Sequence, residues 1–536
     1  MQDQSLKDLQ DSERKQVAVS AFWVALGTMT SRVLGLMREL VIAHYFSRTA
    51  TDAFFVAFRL PNLFRRIFGE GALTVSFIPV LTDFLKNDDK KGARELVSSV
   101  FTLLFVVLSI LTILGTYFAS PTVTLLSGSD EFLAIPGKLE LTIHQARIMF
   151  CYIMLVSFYA FAMGILNTLK IFWLPAVAPA LWNISLLTGV IFFRDRFEIS
   201  SDVLAWATVV GGFLQLGLLI PALKRSGFFP RFRKWWGNPA VNRVLRAMGP
   251  SILGLSVMQL GVLINTYFAS SLEEGSNSWI FYADRLLELP LSIFAVSLGT
   301  VTLPALSAFW SRGDVDGMGK ASMHAVRLSL FMAIPCAAGL FMLSHEIIYS
   351  LYEHGKFTAH DTLMTGSVLK VYGIGVIFAT CVRVFAPAFY AMKNTWLPAL
   401  AAAIALTCHV FIASVFTKMY GVTGLAASST ISGAINFLIL IIAYQKLVVS
   451  LDWRTLTIAV SKFILASLVL MGVSLIYGPL SLILGPDHWA RVVCLLVTVT
   501  ASALAYFLTS WLLKVPELTE TLGEFQKRIK SKFKRK

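Results

Sequence analysis

The chain has 536 residues, of which 56% are hydrophobic and only 14% charged, with a mean hydropathy of +0.71. That composition excludes a soluble globular protein and describes a polytopic membrane protein. A formal net charge of +15 would suggest nucleic acid for a soluble chain, but Lys and Arg retained in the loops on one side of a membrane account for it, so no nucleic-acid partner is expected.

Residues 1–16 are polar and mixed in charge. They lack the basic start, short apolar core and small-residue site of a cleaved signal peptide, and are expected to form a cytoplasmic tail. A crossing helix needs about 20 mainly apolar residues. This predicts spans near 17–46, 52–84, 93–118, 140–168, 173–194, 202–223, 242–270, 277–309, 321–350, 362–391, 395–417, 421–446, 455–482 and 488–513, fourteen in all. The predicted fold is an all-α polytopic membrane protein.

The first two spans carry an unusual charge load. At least five arginines fall between residues 32 and 66: Arg32, Arg38, Arg59, Arg65 and Arg66, accompanied by Glu39, Asp52 and Glu70. A charge at mid-bilayer costs about 2.5–3.5 kcal/mol on insertion scales, so such residues normally face a cavity and mark a function. Arg32 and Glu39, seven apart, share a helix face. Arg32 and Arg38 diverge by about 120° on an ideal helix, and Gly35 is a candidate bend between them. In the second span Asp52, Arg59, Asn62 and Arg66 form one polar stripe. Pro61 is expected to interrupt it and Gly69-Glu70-Gly71 to loosen it again. The corresponding place in the second half of the chain holds Asp284, Arg285 and Glu288, followed by Pro290. Ion pairing within the spans (Arg32 with Glu39, Asp52 with Arg59, Arg285 with Glu288) is the competing explanation for individual residues. It does not absorb the excess of positive charge. Arginine forks match phosphate bidentately and stay charged, so the expected occupant is a diphosphate carried on a lipid.

Further along, KIFWLPAVAPALWN (170–183) resembles KNTWLPALAAAIAL (393–406), with Lys170 matching Lys393 at a shift of 223. Phe46 matches Phe268, Ala57-Phe58-Arg59-Leu60 matches Ala283-Asp284-Arg285-Leu286, and Pro79 matches Pro304, all at shifts of 222–226. The chain therefore reads as a six-span repeat, a parallel duplication with substrate bound between the halves. The expected organisation is an N-lobe at 17–225, a C-lobe at 226–450, a terminal two-helix hairpin at 451–515 and a basic cytoplasmic tail at 516–536. Lys and Arg alternate with acid-rich connections along the chain, which puts both termini in the cytoplasm. The basic tail is expected to sit against anionic membrane lipid.

Catalysis finds no support. There is no H-E-x-x-H, G-x-S-x-G, P-loop or Rossmann fingerprint, and no paired acidic motif to hold Mg²⁺ beside a diphosphate. The five cysteines are scattered through apolar runs without metal-ligand spacing. No cofactor and no metal are expected, and the chain reads as a transporter rather than an enzyme. Residues 395–445 contain no Asp or Glu, which argues against a carboxylate cation site there.

The stretches SRVLGLMREL, TDAFFVAFRLPNLFRRIFGEGALTVSFIPVL and WIFYADRLLELPLSIFAVSLGTVTLPALS resemble the MurJ/MviN family. These are lipid II flippases of the multidrug/oligosaccharidyl-lipid/polysaccharide exporter superfamily, and the similarity covers roughly residues 17–515. The resemblance implies two six-helix lobes around a central cationic cavity, with a final pair of helices forming a groove for the lipid tail. It implies that Arg32, Arg38 and Arg285, with Arg65, bind the diphosphate, and that Asp52 is an essential acid. Glu39, Arg59, Arg66, Glu70, Asp284 and Glu288 would line the same cavity; Glu39 stands where the family often has Asp. Some members bind sodium through acids in the later helices, and the acid-free 395–445 departs from that pattern. The implied activity moves lipid II, an undecaprenyl-diphosphate-linked disaccharide-pentapeptide, from the cytoplasmic to the periplasmic leaflet of the bacterial inner membrane. Other cell-wall synthesis proteins would be further partners. The alternatives are an exporter for another polyprenyl-linked glycan, a drug exporter of the same superfamily, whose cavity should be acidic for cationic drugs, and an enzyme acting on prenyl diphosphates.

Overall fold

Long apolar runs closed by polar caps make this chain helical, and a computed structural model describes residues 27–520 and 523. The predicted tail 1–16, the start of the first span and, apart from residue 523, the basic tail beyond residue 520 lie outside the described residues. In chain order the helices are α1 (residues 27–45), α2 (Arg48–Phe64), a π-helical turn (Arg65–Ala72), α3 (Leu73–Lys86), α4 (Lys90–Tyr117), α5 (Ala119–Ser127), α6 (Asp130–Leu133), α7 (Lys138–Thr168), α8 (Trp173–Thr188) and α9 (Asp202–Arg225). They continue as α10 (Pro239–Ser270), α11 (Ser276–Ser311), α12 (Val315–Tyr352), α13 (Ala359–Ala391), α14 (Trp396–Leu447), α15 (Trp453–Ser474), α16 (Tyr477–Leu484) and α17 (His488–Leu512). No strand occurs among the described residues. Nine of their helices are long and apolar enough to cross a membrane, as expected where every backbone group must be satisfied within its own segment.

One boundary differs from the sequence expectation and another matches it. The helix does not break at Pro61; α2 runs through it, and the departure comes at Arg65–Ala72, where the turn widens to π geometry. Pro61 has no N–H to give, yet the helix continues through it, and the π turn that follows, of a kind frequent at functional positions, contains the Gly69-Glu70-Gly71 stretch expected to loosen the span. In agreement with the separate spans expected at 395–417 and 421–446, α14 is two helices rather than one. Gly421 has φ 56° and ψ −135°, a conformation open almost only to glycine, and Ser432 Oγ donates to Ala405 O at 2.7 Å across the fold. The chain turns back on itself at that residue.

The repeat is written into the connections as well as the spans. Asp89 caps α4 by accepting from the Gly92 amide at 2.7 Å, and Asp314 caps α12 by accepting from the Gly317 amide at 2.8 Å. Just before each cap a residue has positive φ, Asp88 at 53° and Gly313 at 70°. Lys170 and Lys393, matched in sequence, adopt the same left-handed backbone at φ 62° and 60°.

The described residues form two compact units, one ending at Asn277 and the other beginning at Ser278. In the first, α7 is the central helix and packs against α2, α4 and α9. Aromatic pairs such as Phe77 and Phe161, 5.0 Å apart, fill the core. α10, which the repeat counts with the second half, packs against α3 and the π turn of this first unit. The linker before it explains the placement. Its backbone is strapped along α4, with the Arg233 amide donating to Thr102 Oγ1 at 2.9 Å and Ser99 Oγ donating to Lys234 O at 3.1 Å, so α10 starts beside α4.

In the second unit α12 is central, packed against α13, α15 and α17. Phe331 sits 5.5 Å from both Phe463 and Tyr506, and the Tyr506 hydroxyl donates to the Phe331 carbonyl at 2.6 Å. Beyond α17, Val515 and Leu518 are buried in the same core and Glu517 pairs with Arg327. The outer side of the terminal helices exposes Leu482, Ile483 and Trp489.

Candidate functional site

In the first unit the sequence-predicted charges separate into two clusters. The first surrounds Arg38 on α1. Arg38 is only 4% exposed and Glu39 is fully buried. Their side chains pair at 2.5 Å, whereas the seven-residue spacing predicted Glu39 with Arg32. Two residues of α8 that sequence reasoning did not single out explain the exchange. Asn183 Oδ1 accepts from Arg38 Nη1 at 2.7 Å, and the guanidinium carbon lies 4.4 Å from the centroid of the Trp182 ring. Asn183 returns to α1 by donating to the Ser31 carbonyl at 2.9 Å. Held on this side, Arg38 reaches Glu39 even though adjacent helical residues do not normally face each other. Arg32 is half-buried and has no ion pair or hydrogen bond among the described residues.

The second cluster forms around Asp52 on α2, a buried carboxylate. Its ion pair is with Lys138 at the start of α7, at 2.8 Å, and the Gly275 amide donates to the same oxygen at 2.8 Å. Lys138 is equally buried, its ammonium 4.5 Å from the Phe132 ring. One α2 turn away, Thr49 Oγ1 donates to Glu274 at 2.5 Å. Sequence reasoning considered Arg59 as a partner of Asp52 and did not single out Lys138. The available signal was that Lys138 is a lone base in a connection otherwise rich in acid, with Asp130, Glu131 and Glu140 around it.

Farther along the second span Arg59, Arg65 and Arg66 are all half-buried. Arg65 Nε donates to Asn62 Oδ1 at 3.0 Å, and Arg66, on the π turn, has no partner among the described residues. The side chain of Glu70 lies outside the described residues.

In the second unit, Arg285 and Glu288 on α11 pair at 3.0 Å, the within-helix pairing that the spacing allowed. Arg285 stays partly accessible, and Asp284 beside it is half-buried. Arg383 on α13 donates to the Leu291 carbonyl at 3.2 Å, which brings a further cation near the α11 pair. Toward the end of that unit Asp361 is consumed structurally, accepting from Trp279 Nε1 at 2.8 Å and from the Thr358 amide and hydroxyl of its own capping box. The five cysteines are free, and the described residues contain no cluster of three or more His, Cys, Asp or Glu placed to hold a metal. Among the described residues the arrangement offers guanidinium groups for an anion.

Comparison with known proteins gives the following. The family model described as "Lipid II flippase MurJ" matches residues 42–498. A protein of Bdellovibrio bacteriovorus named "Probable lipid II flippase MurJ" is 40% identical over 510 residues, 95% of this chain and 97% of its own. The "Lipid II flippase MurJ" of Burkholderia cenocepacia is 36% identical over 440 residues, 81% of this chain and 84% of its own. Among solved structures, "Lipid II flippase MurJ, inward closed conformation" superposes with a TM-score of 0.76 at 26% identity, covering 91% of this chain and 98% of that one. An inward-facing multidrug MATE transporter of the MOP superfamily, 13% identical, shares the fold with a TM-score of 0.67.

Proposed function

Because the chain belongs to the lipid II flippase MurJ family, we propose that it moves lipid II across the membrane by alternating access, with arginines gripping the diphosphate. It is a multi-pass membrane transporter whose substrate is lipid II. Arg32, Arg38 and Arg285, with Arg65, take the diphosphate, while Asp52, Glu39, Arg59, Arg66, Glu70, Asp284 and Glu288 tune the same region. Fourteen crossing segments, two six-span lobes at 17–225 and 226–450, and a hairpin at 451–515 for the prenyl tail complete the reading. The protein resides in the bacterial inner membrane with both termini cytoplasmic.

The observation that carries the proposal is the surplus of guanidinium over carboxylate on α1 and the π turn. Glu39 neutralises Arg38, but Arg32 and Arg66 have no partner among the described residues. Intramembrane cations in that condition call for an anionic ligand, and a diphosphate supplies oxygens for more than one fork. The membrane potential, worth about 2.3 kcal/mol per elementary charge per 100 mV, acts on the emptied basic region and favours its return toward the negative side.

The test is periplasmic exposure of lipid II in cells depleted of their own flippase, with wild type beside Arg38→Ala and Arg285→Ala at matched membrane levels. Wild type is expected to restore exposure and both variants to lose it. Equal activity in the variants would make the arginines structural. Failure of well-expressed wild type would assign a different polyprenyl-linked glycan.

A further inference from the structure

We propose that Trp182 and Asn183 on α8 are positioning residues for Arg38, fixing the direction in which its guanidinium meets a diphosphate. The inference rests on reading Arg38 as a diphosphate ligand and concerns how that ligand is aimed.

A guanidinium is a rigid plane with five N–H donors, and two-pronged recognition of phosphate requires both its plane and its rotation within that plane to match. The arginine stem supplies neither, because it is flexible. Here each is set by a different α8 residue. The Trp182 ring, 4.4 Å from the guanidinium carbon, provides a flat face against the cation. Asn183 Oδ1, 2.7 Å from Nη1, together with Glu39 on Nη2, fixes the rotation.

The two α8 residues are themselves held. The Asn183 amide nitrogen donates to Ser31 O at 2.9 Å, which orients its oxygen toward the arginine and ties α8 to the same helix that carries Arg38. Trp182 stacks on Phe58 of α2 at 5.5 Å with 22° between the rings, and lies 6.3 Å from Tyr152 of α7. Four helices of the first unit thus converge on the orientation of one side chain. A neutral asparagine suits the task. An aspartate would put a second negative charge beside Glu39 and make the group net anionic, repelling a diphosphate, whereas the amide directs without adding charge.

The test measures binding of undecaprenyl diphosphate to the full-length chain in lipid nanodiscs, with undecaprenyl phosphate as the control ligand. The variants are Arg38→Ala, Asn183→Leu, Trp182→Leu and Trp182→Phe, the three α8 changes each made in the wild-type and Arg38→Ala backgrounds. Asn183→Leu and Trp182→Leu are each expected to weaken diphosphate binding about tenfold, the loss of one charge-assisted contact. Trp182→Phe, which keeps a ring face, should stay within about threefold. Neither loss should recur once Arg38 is alanine, since a residue that acts through Arg38 has nothing left to aim. Losses that add in the Arg38→Ala background, or normal binding by both leucine variants, would overturn the inference while leaving Arg38 a ligand. Normal binding by Arg38→Ala would overturn the underlying reading and this inference with it. Should Asn183→Leu fail to fold, Trp182→Leu and Trp182→Phe carry the same cycle.

Discussion

At the scale of single residues, the buried charges of this protein are of two kinds, and substitution should tell them apart. Asp52 and Lys138 form a buried ion pair that the Gly275 amide joins. Lys138→Met leaves the carboxylate uncompensated and is expected to destabilise the protein by about 3–5 kcal/mol. Adding Asp52→Asn should recover part of that loss. A thermal-unfolding series on the purified single and double variants checks it, and an additive double variant would refute the coupling. Arg32 has no such partner, so Arg32→Gln should leave the unfolding midpoint close to wild type while weakening diphosphate binding. Legibility in the sequence follows the same division. Arg285 with Glu288 was readable because helix geometry fixes the neighbour three residues away. Asn183 stands 145 positions from Arg38, and Lys138 stands 86 from Asp52. No local period links such pairs, so only the folded packing of α8 on α1 and α7 on α2 reveals them.

At the scale of elements, the connections carry as much specification as the spans. Hydropathy located the helices, because a bilayer admits few other solutions. In the second span the break expected at Pro61 is absent, whereas the loosening expected at Gly69-Glu70-Gly71 falls within the π turn at Arg65–Ala72. The fold-back within α14 was placed correctly between 417 and 421 by hydropathy, while the role of Gly421 in making it was not singled out. Gly421→Val should cost about 1–3 kcal/mol, and limited proteolysis should then cut near residue 421 faster than in wild type. The paired caps give a cleaner comparison. Asp89→Ala and Asp314→Ala should each cost about 1 kcal/mol. Because they sit at equivalent turns of the repeat and share no residue, their effects should be alike and should add in the double variant. Unequal or non-additive shifts in denaturant midpoint would argue against equivalence.

At the scale of the whole molecule, the terminal segment is part of the second unit's core rather than a loose extension. Val515 and Leu518 are buried with Phe331 and Phe463, and Glu517 pairs with Arg327. Removing the chain after Lys514 would expose that core and strand Arg327, a loss of about 3 kcal/mol or more from the apolar burial alone. The duplication was legible in the sequence as four short matches at shifts of 222–226, and the structure has matching caps and matching left-handed turns at corresponding positions. The allegiance of α10 to the first unit was not visible there, because it depends on hydroxyls of α4 that hold the linker, Ser99 and Thr102, and hydropathy gives no weight to them.

Lys170 and Lys393 both keep positive φ where glycine would be free of strain, a conformation that costs an ordinary residue about 1–2 kcal/mol. A finished, folded protein gains nothing evident from that expense. A nascent chain does: at the moment each hairpin of spans is threaded into the bilayer, a fixed cation at its bend decides which end stays behind. Lysine at these bends then serves the history of the molecule rather than its working state. Glycine at both positions should yield a protein that is harder to unfold once made and yet is more often inserted upside down, an outcome that glycosylation or protease mapping of newly made chains would register.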